Sequence, residues 1–234
     1  MNAEKKTFGL TGNQLKVFAL IVMTIDHIGC FLLPDMDILR IIGRLAMPIF
    51  AWMIAEGCTY TKNRTRYLLT MVGVGIVCQI VYLVFMRSLM QCIFITFSMS
   101  IMLIYVLDYA NRKKNIWSLC LLGVVTAGIF YICVFLPRHL PGFRVDYTVY
   151  GVLLPVVIYL GRTKAEKLLL AAGCLTVLAM GYGGVQWYAV LSLPILALYN
   201  GKRGKMPLKY LFYVYYPLHL VVIYGIGMIL ARMK

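Results

Sequence analysis

The sequence has 234 residues, of which 62% are hydrophobic and only 13% charged, and its formal net charge at pH 7 is +15. Soluble domains are roughly 45–50% apolar and about 25% charged. This composition therefore excludes an ordinary soluble domain, because its own core would not cover so much apolar surface. We predict an all-α, polytopic membrane protein that sits in a lipid bilayer.

Nine segments in chain order are apolar enough to be membrane helices, each needing about 20 residues to cross the hydrocarbon. They lie at roughly 14–33, 39–59, 67–86, 91–109, 116–136, 146–160, 167–182, 185–199 and 209–231. The sixth to eighth are short and rich in Gly and Pro, so we expect them to tilt, break or re-enter. We expect residues 1–234 to form a single transmembrane domain. The first thirteen residues lack the features of a signal peptide, and the first span is expected to start insertion.

The basic residues form short clusters between the apolar runs, at 62–66, 111–114, 161–167 and 200–205. This pattern is typical of cytoplasmic loops, and it argues against nucleic-acid binding because no contiguous basic domain exists. With the N-terminus inside, fifteen of the 23 Lys and Arg residues fall on the inner side and six on the outer. The remaining two lie within spans. We predict a cytoplasmic N-terminus and location in a cell membrane, of the bacterial inner or plasma-membrane type.

The first span, LKVFALIVMTIDHIGCFLLP, contains Lys16, Asp26 and His27. Charged groups at the bilayer centre cost about 2.5–3.5 kcal/mol on insertion scales and usually have a function. Lys16 and His27 are eleven residues apart, so they project from nearly the same helix face, about 16 Å apart along the axis. A histidine beside a carboxylate, on the same face as a lysine, indicates a proton-handling group in a channel.

The second span adds Arg44 and Glu56 at corresponding depths. We predict two ion pairs, Asp26 with Arg44 in the outer half and Lys16 with Glu56 in the inner half, because pairing makes such charges tolerable in a membrane. A structural interpretation stays open for each residue. Lys16 could extend to the interface, Glu56 could end a helix, and Asp26 with Arg44 could clamp two helices.

The last span has His219 near mid-membrane, two residues after Pro217. A proline inside a helix frees a carbonyl group and can open a polar pocket, although a packing role for His219 is equally open. His139 lies in an outer loop and is expected to be solvated. The seven cysteines have no close pair and no metal-type spacing, so we predict neither disulfides nor a metal site.

Three blocks of sequence resemble the TraX family: LKVFALIVMTIDHIG, LRIIGRLAMPIFAWMIAEGCTYTKNRTRYL and YLFYVYYPLHLVV. The namesake of that family acetylates the N-terminus of pilin. TraX-like proteins are similar in turn to the acyltransferase-three and heparan glucosaminide acetyltransferase proteins. In acyltransferase-three proteins a basic residue, ten spacers and a histidine mark the first helix, and this pattern falls on Lys16 and His27. Lys16 stands where those proteins usually have Arg, and Glu56-Gly57 stands where they have Ser-Gly.

The resemblance implies a membrane acetyltransferase with acetyl-CoA as the donor. The anionic donor would enter from the cytoplasm, where Lys16 and the basic loops meet its phosphates, and we assign Lys16, Glu56 and His219 to donor binding. The acceptor would be an extracytoplasmic peptide N-terminus or a glycan amine or hydroxyl.

The catalytic assignment places His27 as general base on the acceptor, with Asp26 fixing its tautomer or raising its basicity. Arg44 would stabilise the oxyanion or hold the thioester carbonyl. An acetyl-histidine intermediate is the variant mechanism.

Two other functions stay open. In a small proton-coupled transporter or channel, Asp26 and His27 would relay protons, and inverted repeats would favour it; the sequence shows no fixed-period repeat. A structural or assembly factor would tolerate His27→Ala, whereas the enzyme would not.

Overall fold

The computed structural model describes residues 9–205 and 209–233. The expectations for residues 1–8 and for Lys234 lie outside this described part of the chain. The described elements are α1 (Gly12–Phe31), α2 (Asp37–Gly43), α3 (Ala46–Tyr60), α4 (Arg64–Phe85), β1 (Met90–Gln91), α5 (Ile93–Lys113), α6 (Ile116–Phe130), a π-helical turn (Tyr131–Phe135), α7 (Leu136–His139), β2 (Arg144–Val145), α8 (Thr148–Leu160), α9 (Lys164–Tyr182), a 3-10 helix (Gly184–Leu191), α10 (Ser192–Ala197) and α11 (Lys209–Met233).

Within the described residues, seven helices are long and apolar enough to cross a membrane. One of them joins α2 to α3 over Asp37–Tyr60, and another joins α6 to α7 over Ile116–His139. The two remaining predicted spans correspond to shorter apolar helices, Thr148–Leu160 and Gly184–Ala197. The all-α, membrane-helical class is therefore confirmed, whereas nine crossings and a cytoplasmic N-terminus stay predictions.

Four of the long helices begin at a polar residue whose side chain accepts a hydrogen bond from the backbone N–H three residues later. Thr11 does this for α1 and forms a capping box with Gln14. Asn63, Asn115 and Thr163 do it for α4, α6 and α9. These caps satisfy backbone donors that a helix leaves free at its start. They therefore fix the residue at which each of these helices begins.

Loops that the charge pattern assigns to one side of the membrane lie together in space. β1 pairs in parallel with β2, which joins two of the loops predicted to be outside. At the opposite end, Leu10 pairs with Tyr199, and the backbone N–H groups of Gly12 and Asn13 donate to carbonyls of residues 202 and 203. The N-terminal segment and the 200–205 loop, both predicted to be inside, are thus joined.

The second predicted span is broken into α2 and α3 at Arg44 and Leu45. α3 is the most buried helix of the assembly and packs against α1, α5 and α8, whereas the α6–α7 span is mostly exposed. α1 and α2 cross very closely. The side chain of Asp26 occupies the space that a Cβ atom at Gly43 would need. The absence of a side chain at Gly43 is what allows Asp26 to reach the start of α3.

Candidate functional site

Asp26 makes two ion pairs where α1 crosses α2. Its Oδ1 lies 2.6 Å from Nη2 of Arg44, and its Oδ2 lies 2.8 Å from Nη1 of Arg40. Arg40 also donates to the backbone carbonyl of Asp26 at 3.1 Å. The predicted pair of Asp26 with Arg44 is confirmed. The second partner was not predicted, although Arg40 precedes Arg44 by four residues, which places both on one helix face.

The guanidinium group of Arg44 is surrounded by protein acceptors. Nη1 donates to the hydroxyl of Tyr147 at 3.2 Å and to Oε1 of Gln186 at 3.3 Å, and Nε donates to the carbonyl of Arg40 at 3.3 Å. Tyr147 and Gln186 lie in the part of the chain without a family-like block, and no motif signalled them. A role of Arg44 toward a reacting carbonyl stays a prediction.

His27 contacts the last helix rather than Asp26. Its Nδ1 lies 3.0 Å from the carbonyl oxygen of Met23 and 3.2 Å from Nε2 of His219. The expectation that Asp26 fixes the tautomer of His27 is therefore wrong. Neighbouring residues on a helix are rotated by about 100°, so Asp26 faces α2 while His27 faces α11.

The contacts of the two histidines determine where their protons lie when both rings are neutral. Nδ1 of His219 lies 3.0 Å from the carbonyl of Tyr215, which only accepts, so this nitrogen carries a hydrogen. Nε2 of His219 is then an acceptor. Nδ1 of His27 faces that acceptor and the Met23 carbonyl, so it carries the hydrogen of His27. The lone pair of His27 is left on Nε2, which has no hydrogen-bond partner among the described residues.

Aromatic rings enclose the histidine pair. Phe31 stacks on His27 with 6.0 Å between centroids, and Tyr215 stacks on His219 at 5.3 Å. Tyr216 meets both imidazoles edge-on, at 6.3 Å from His27 and 5.1 Å from His219. Aromatic rings therefore contact both imidazoles beside their polar contacts.

A cavity of about 580 Å³ lies between the helices. Lys16, Glu56 and Arg203 line it at one end, and Phe94 and Tyr216 line it further along. Neither histidine is among its described lining residues. Tyr216 therefore lies both in the cavity wall and against His27.

Glu56 is not paired with Lys16, and that prediction is wrong. Glu56 Oε1 lies 2.6 Å from Nζ of Lys167, and the hydroxyl of Tyr199 donates to Oε2 at 3.3 Å. The Nζ of Lys16 lies instead over the ring of Phe212, 5.6 Å from its centroid.

Two cations are left facing the cavity as a result. Lys16 and Arg203 both line it. Neither forms an ion pair with a carboxylate within the described residues. Arg203 is held there because its backbone carbonyl accepts from Asn13 at 2.9 Å, at the start of the helix that contains Lys16.

The cysteines and acidic residues form no group that could hold a metal ion in the described part of the chain. All seven cysteines are free. The sequence showed no close pair, and the Cys92 thiol donates to the backbone carbonyl of Gly75 at 3.6 Å. This contact joins α4 to the start of α5.

The sequence model of the family described as TraX protein matches residues 11–227. Over 250 aligned residues, covering 93% of this chain and 96% of the relative, the chain is 26% identical to "Probable fimbrial assembly protein FimC, serogroup H1" of Dichelobacter nodosus. Over 55 residues, or 24% of this chain and 22% of the relative, it is 49% identical to an uncharacterized protein of Rickettsia prowazekii (strain Madrid E). No solved structure matches the chain significantly. Because the family match extends over most of its length, this chain belongs to the TraX family.

Proposed function

We propose that this protein is a membrane acetyltransferase that moves an acetyl group from cytoplasmic acetyl-CoA to an extracytoplasmic acceptor. The observation that carries the proposal is the pair of cations, Lys16 and Arg203, that face the cavity without a carboxylate partner in the described residues. Cations that line a concave site favour an anionic ligand. The phosphates of a CoA ester supply that charge.

The rest of the cavity suits the remainder of the donor. Beyond the cations its walls are apolar and aromatic, with Met53, Phe97 and Phe212 among them. Small-molecule sites are commonly about 300–1,000 Å³ in volume and mostly apolar, with a few polar groups that fix orientation. A pantetheine arm that enters beside Lys16 would approach Tyr216 and the histidine pair.

The chemistry requires a base, and His27 supplies one. The acceptor amine or hydroxyl attacks the thioester carbonyl, a C–N or C–O bond forms, and the C–S bond breaks. The acceptor proton passes to Nε2 of His27, the nitrogen without a partner among the described residues, and the CoA thiolate leaves and takes up a proton. Transfer through an acetyl group on His27 is the variant of the same scheme.

The comparisons support a pilin-like acceptor. The TraX family is linked to pilin acetylation, and the relative from Dichelobacter nodosus is named for fimbrial assembly. A peptide amine of a pilin subunit is therefore the acceptor that we propose first. A glycan amine or hydroxyl is the alternative acceptor.

Calorimetry of acetyl-CoA binding to the purified protein tests the donor site. We expect binding at about micromolar concentration, on the order of −8 kcal/mol, and a loss of at least about tenfold in Lys16→Ala and in Arg203→Ala. Lys202→Ala is the matched control, because Lys202 lies in the same loop but is not among the described lining residues. Absence of binding at millimolar acetyl-CoA, or equal losses in all three variants, would contradict the proposal.

Turnover tests the base. His27→Ala should lower CoA release by about 10²–10⁴-fold, the usual contribution of a positioned general base, while acetyl-CoA binding is retained. His139→Ala, in an exposed segment, should leave both unchanged. CoA release that is retained in His27→Ala would contradict this assignment.

A further inference from the structure

We propose that His219 is a positioning residue that stabilises the protonated form of His27 during acetyl transfer, the role that a carboxylate has in Ser-His-Asp triads. This inference rests on the proposed function, because it concerns the base that receives the acceptor proton. It moves His219 from the donor-binding role expected from the sequence to a role that acts through His27.

The geometry of the pair carries the proposal. His219 is only 6% exposed, and its Nδ1 is fixed by the Tyr215 carbonyl one helical turn earlier. The ring therefore presents Nε2 as an acceptor, 3.2 Å from Nδ1 of His27. When Nε2 of His27 takes up a proton, the Nδ1–H group carries part of the positive charge. Its hydrogen bond to His219 then becomes charge-assisted and stronger.

The surrounding charges explain why such a partner is needed. Asp26, the carboxylate next to His27 in sequence, is occupied by Arg40 and Arg44. One carboxylate between two guanidinium groups leaves an excess positive charge at the α1–α2 crossing, one residue from His27. An imidazolium at this position is opposed by that charge. The acceptors that the described structure offers to Nδ1–H are His219 and the Met23 carbonyl.

The position of His219 indicates an effect on the chemical step and not on donor binding. His219 is not among the described residues that line the cavity, whereas Tyr216, on the same helix, lines it and contacts both imidazoles. Removal of His219 should therefore affect the chemical step and leave the affinity for the donor unchanged.

Kinetics of His219→Leu and His219→Gln test this role. The leucine removes the acceptor, so kcat for CoA release should fall at least tenfold while KM for acetyl-CoA stays the same. The glutamine carbonyl can accept from Nδ1–H of His27, so His219→Gln should recover most of the lost kcat. His139→Gln is the control. An unchanged kcat in His219→Leu, or equal losses in the leucine and glutamine variants, would overturn the proposal.

Nitrogen NMR of the ¹⁵N-histidine-labelled protein tests the contact without any substrate. The chain has three histidines, so removing each in turn assigns its imidazole signals. We expect His27 to carry its hydrogen on Nδ1 and its Nδ1 signal to move in His219→Leu but not in His139→Gln. An unmoved His27 signal in His219→Leu would overturn the inference. If the His27 signal moves as expected but the parent protein releases no CoA, the proposed function is contradicted, whereas the contact between the two histidines is supported.

Discussion

Asp26 lies between Arg40 and Arg44, with one carboxylate oxygen directed at each guanidinium group. The Asp26 side chain is 15% exposed and that of Arg44 is 11% exposed, so both charges are largely removed from solvent. Pairing offsets the cost of placing such groups within a membrane protein. These ion pairs, which we call the clamp, link α1 to α2. His27 makes its contact with α11 instead.

A neutral residue at position 26 tests the clamp. In Asp26→Asn one acceptor oxygen remains, but the charge that balances the two arginines is lost. Hydrogen bonds to charged groups contribute about 1.5–3 kcal/mol, and we expect the free energy of unfolding to fall by about that amount. Thermal unfolding in detergent measures it. Asp35→Asn, at an exposed position outside any described ion pair, is the control, and equal stability of the two variants would refute the clamp.

At the level of elements, the close crossing of α1 and α2 depends on Gly43. A Cβ atom there would overlap the Asp26 side chain, which is itself held by two ion pairs and has little freedom to move. The clamp and the crossing are therefore one feature, since the ion pairs require the short distance between the helices that glycine permits.

Gly43→Ala should separate the two helices or displace Asp26 from its partners. Overpacking of this kind costs about 1–3 kcal/mol, and we expect a lower unfolding temperature. Gly73→Ala is the matched control, because a Cβ at Gly73 in α4 would have no atom within 4 Å. A Gly43→Ala protein as stable as Gly73→Ala would show that the crossing tolerates a side chain.

The sequence predicts these elements well because apolar runs end at charged or capping residues. The span predicted at 67–86 is found as Arg64–Phe85, and the one at 116–136 begins at Ile116. Partners far apart in the chain are less predictable. Glu56 pairs with Lys167, 111 residues later, because of how α9 packs in space. The sequence predicted Lys16 as the partner of Glu56, because the two residues have corresponding depths in the membrane. The contact between His27 and His219 likewise depends on the placement of α11 beside α1, which no spacing within one helix reveals.

At the scale of the whole molecule, the cavity that we propose for the donor has its cations at one end. Its cationic end lies where the start of α1 meets the 200–205 loop, which the charge pattern assigns to the cytoplasm. The β1–β2 pair joins loops assigned to the opposite side. Entry of cytoplasmic acetyl-CoA therefore requires the orientation that the basic loops predict.

Cysteine labelling in intact cells tests that orientation. Asp35 follows α1 and Lys113 ends α5, both are exposed, and the predicted orientation places Asp35 outside and Lys113 inside. With a membrane-impermeant maleimide, Asp35→Cys should therefore gain label above the parent chain in intact cells, whereas Lys113→Cys should gain it only after the membrane is opened. The parent chain is the necessary baseline, because Cys30 and Cys120 are also exposed. The reverse pattern would place the cationic end of the cavity outside, where cytoplasmic acetyl-CoA could not reach Lys16, and the direction of transfer proposed here would be wrong.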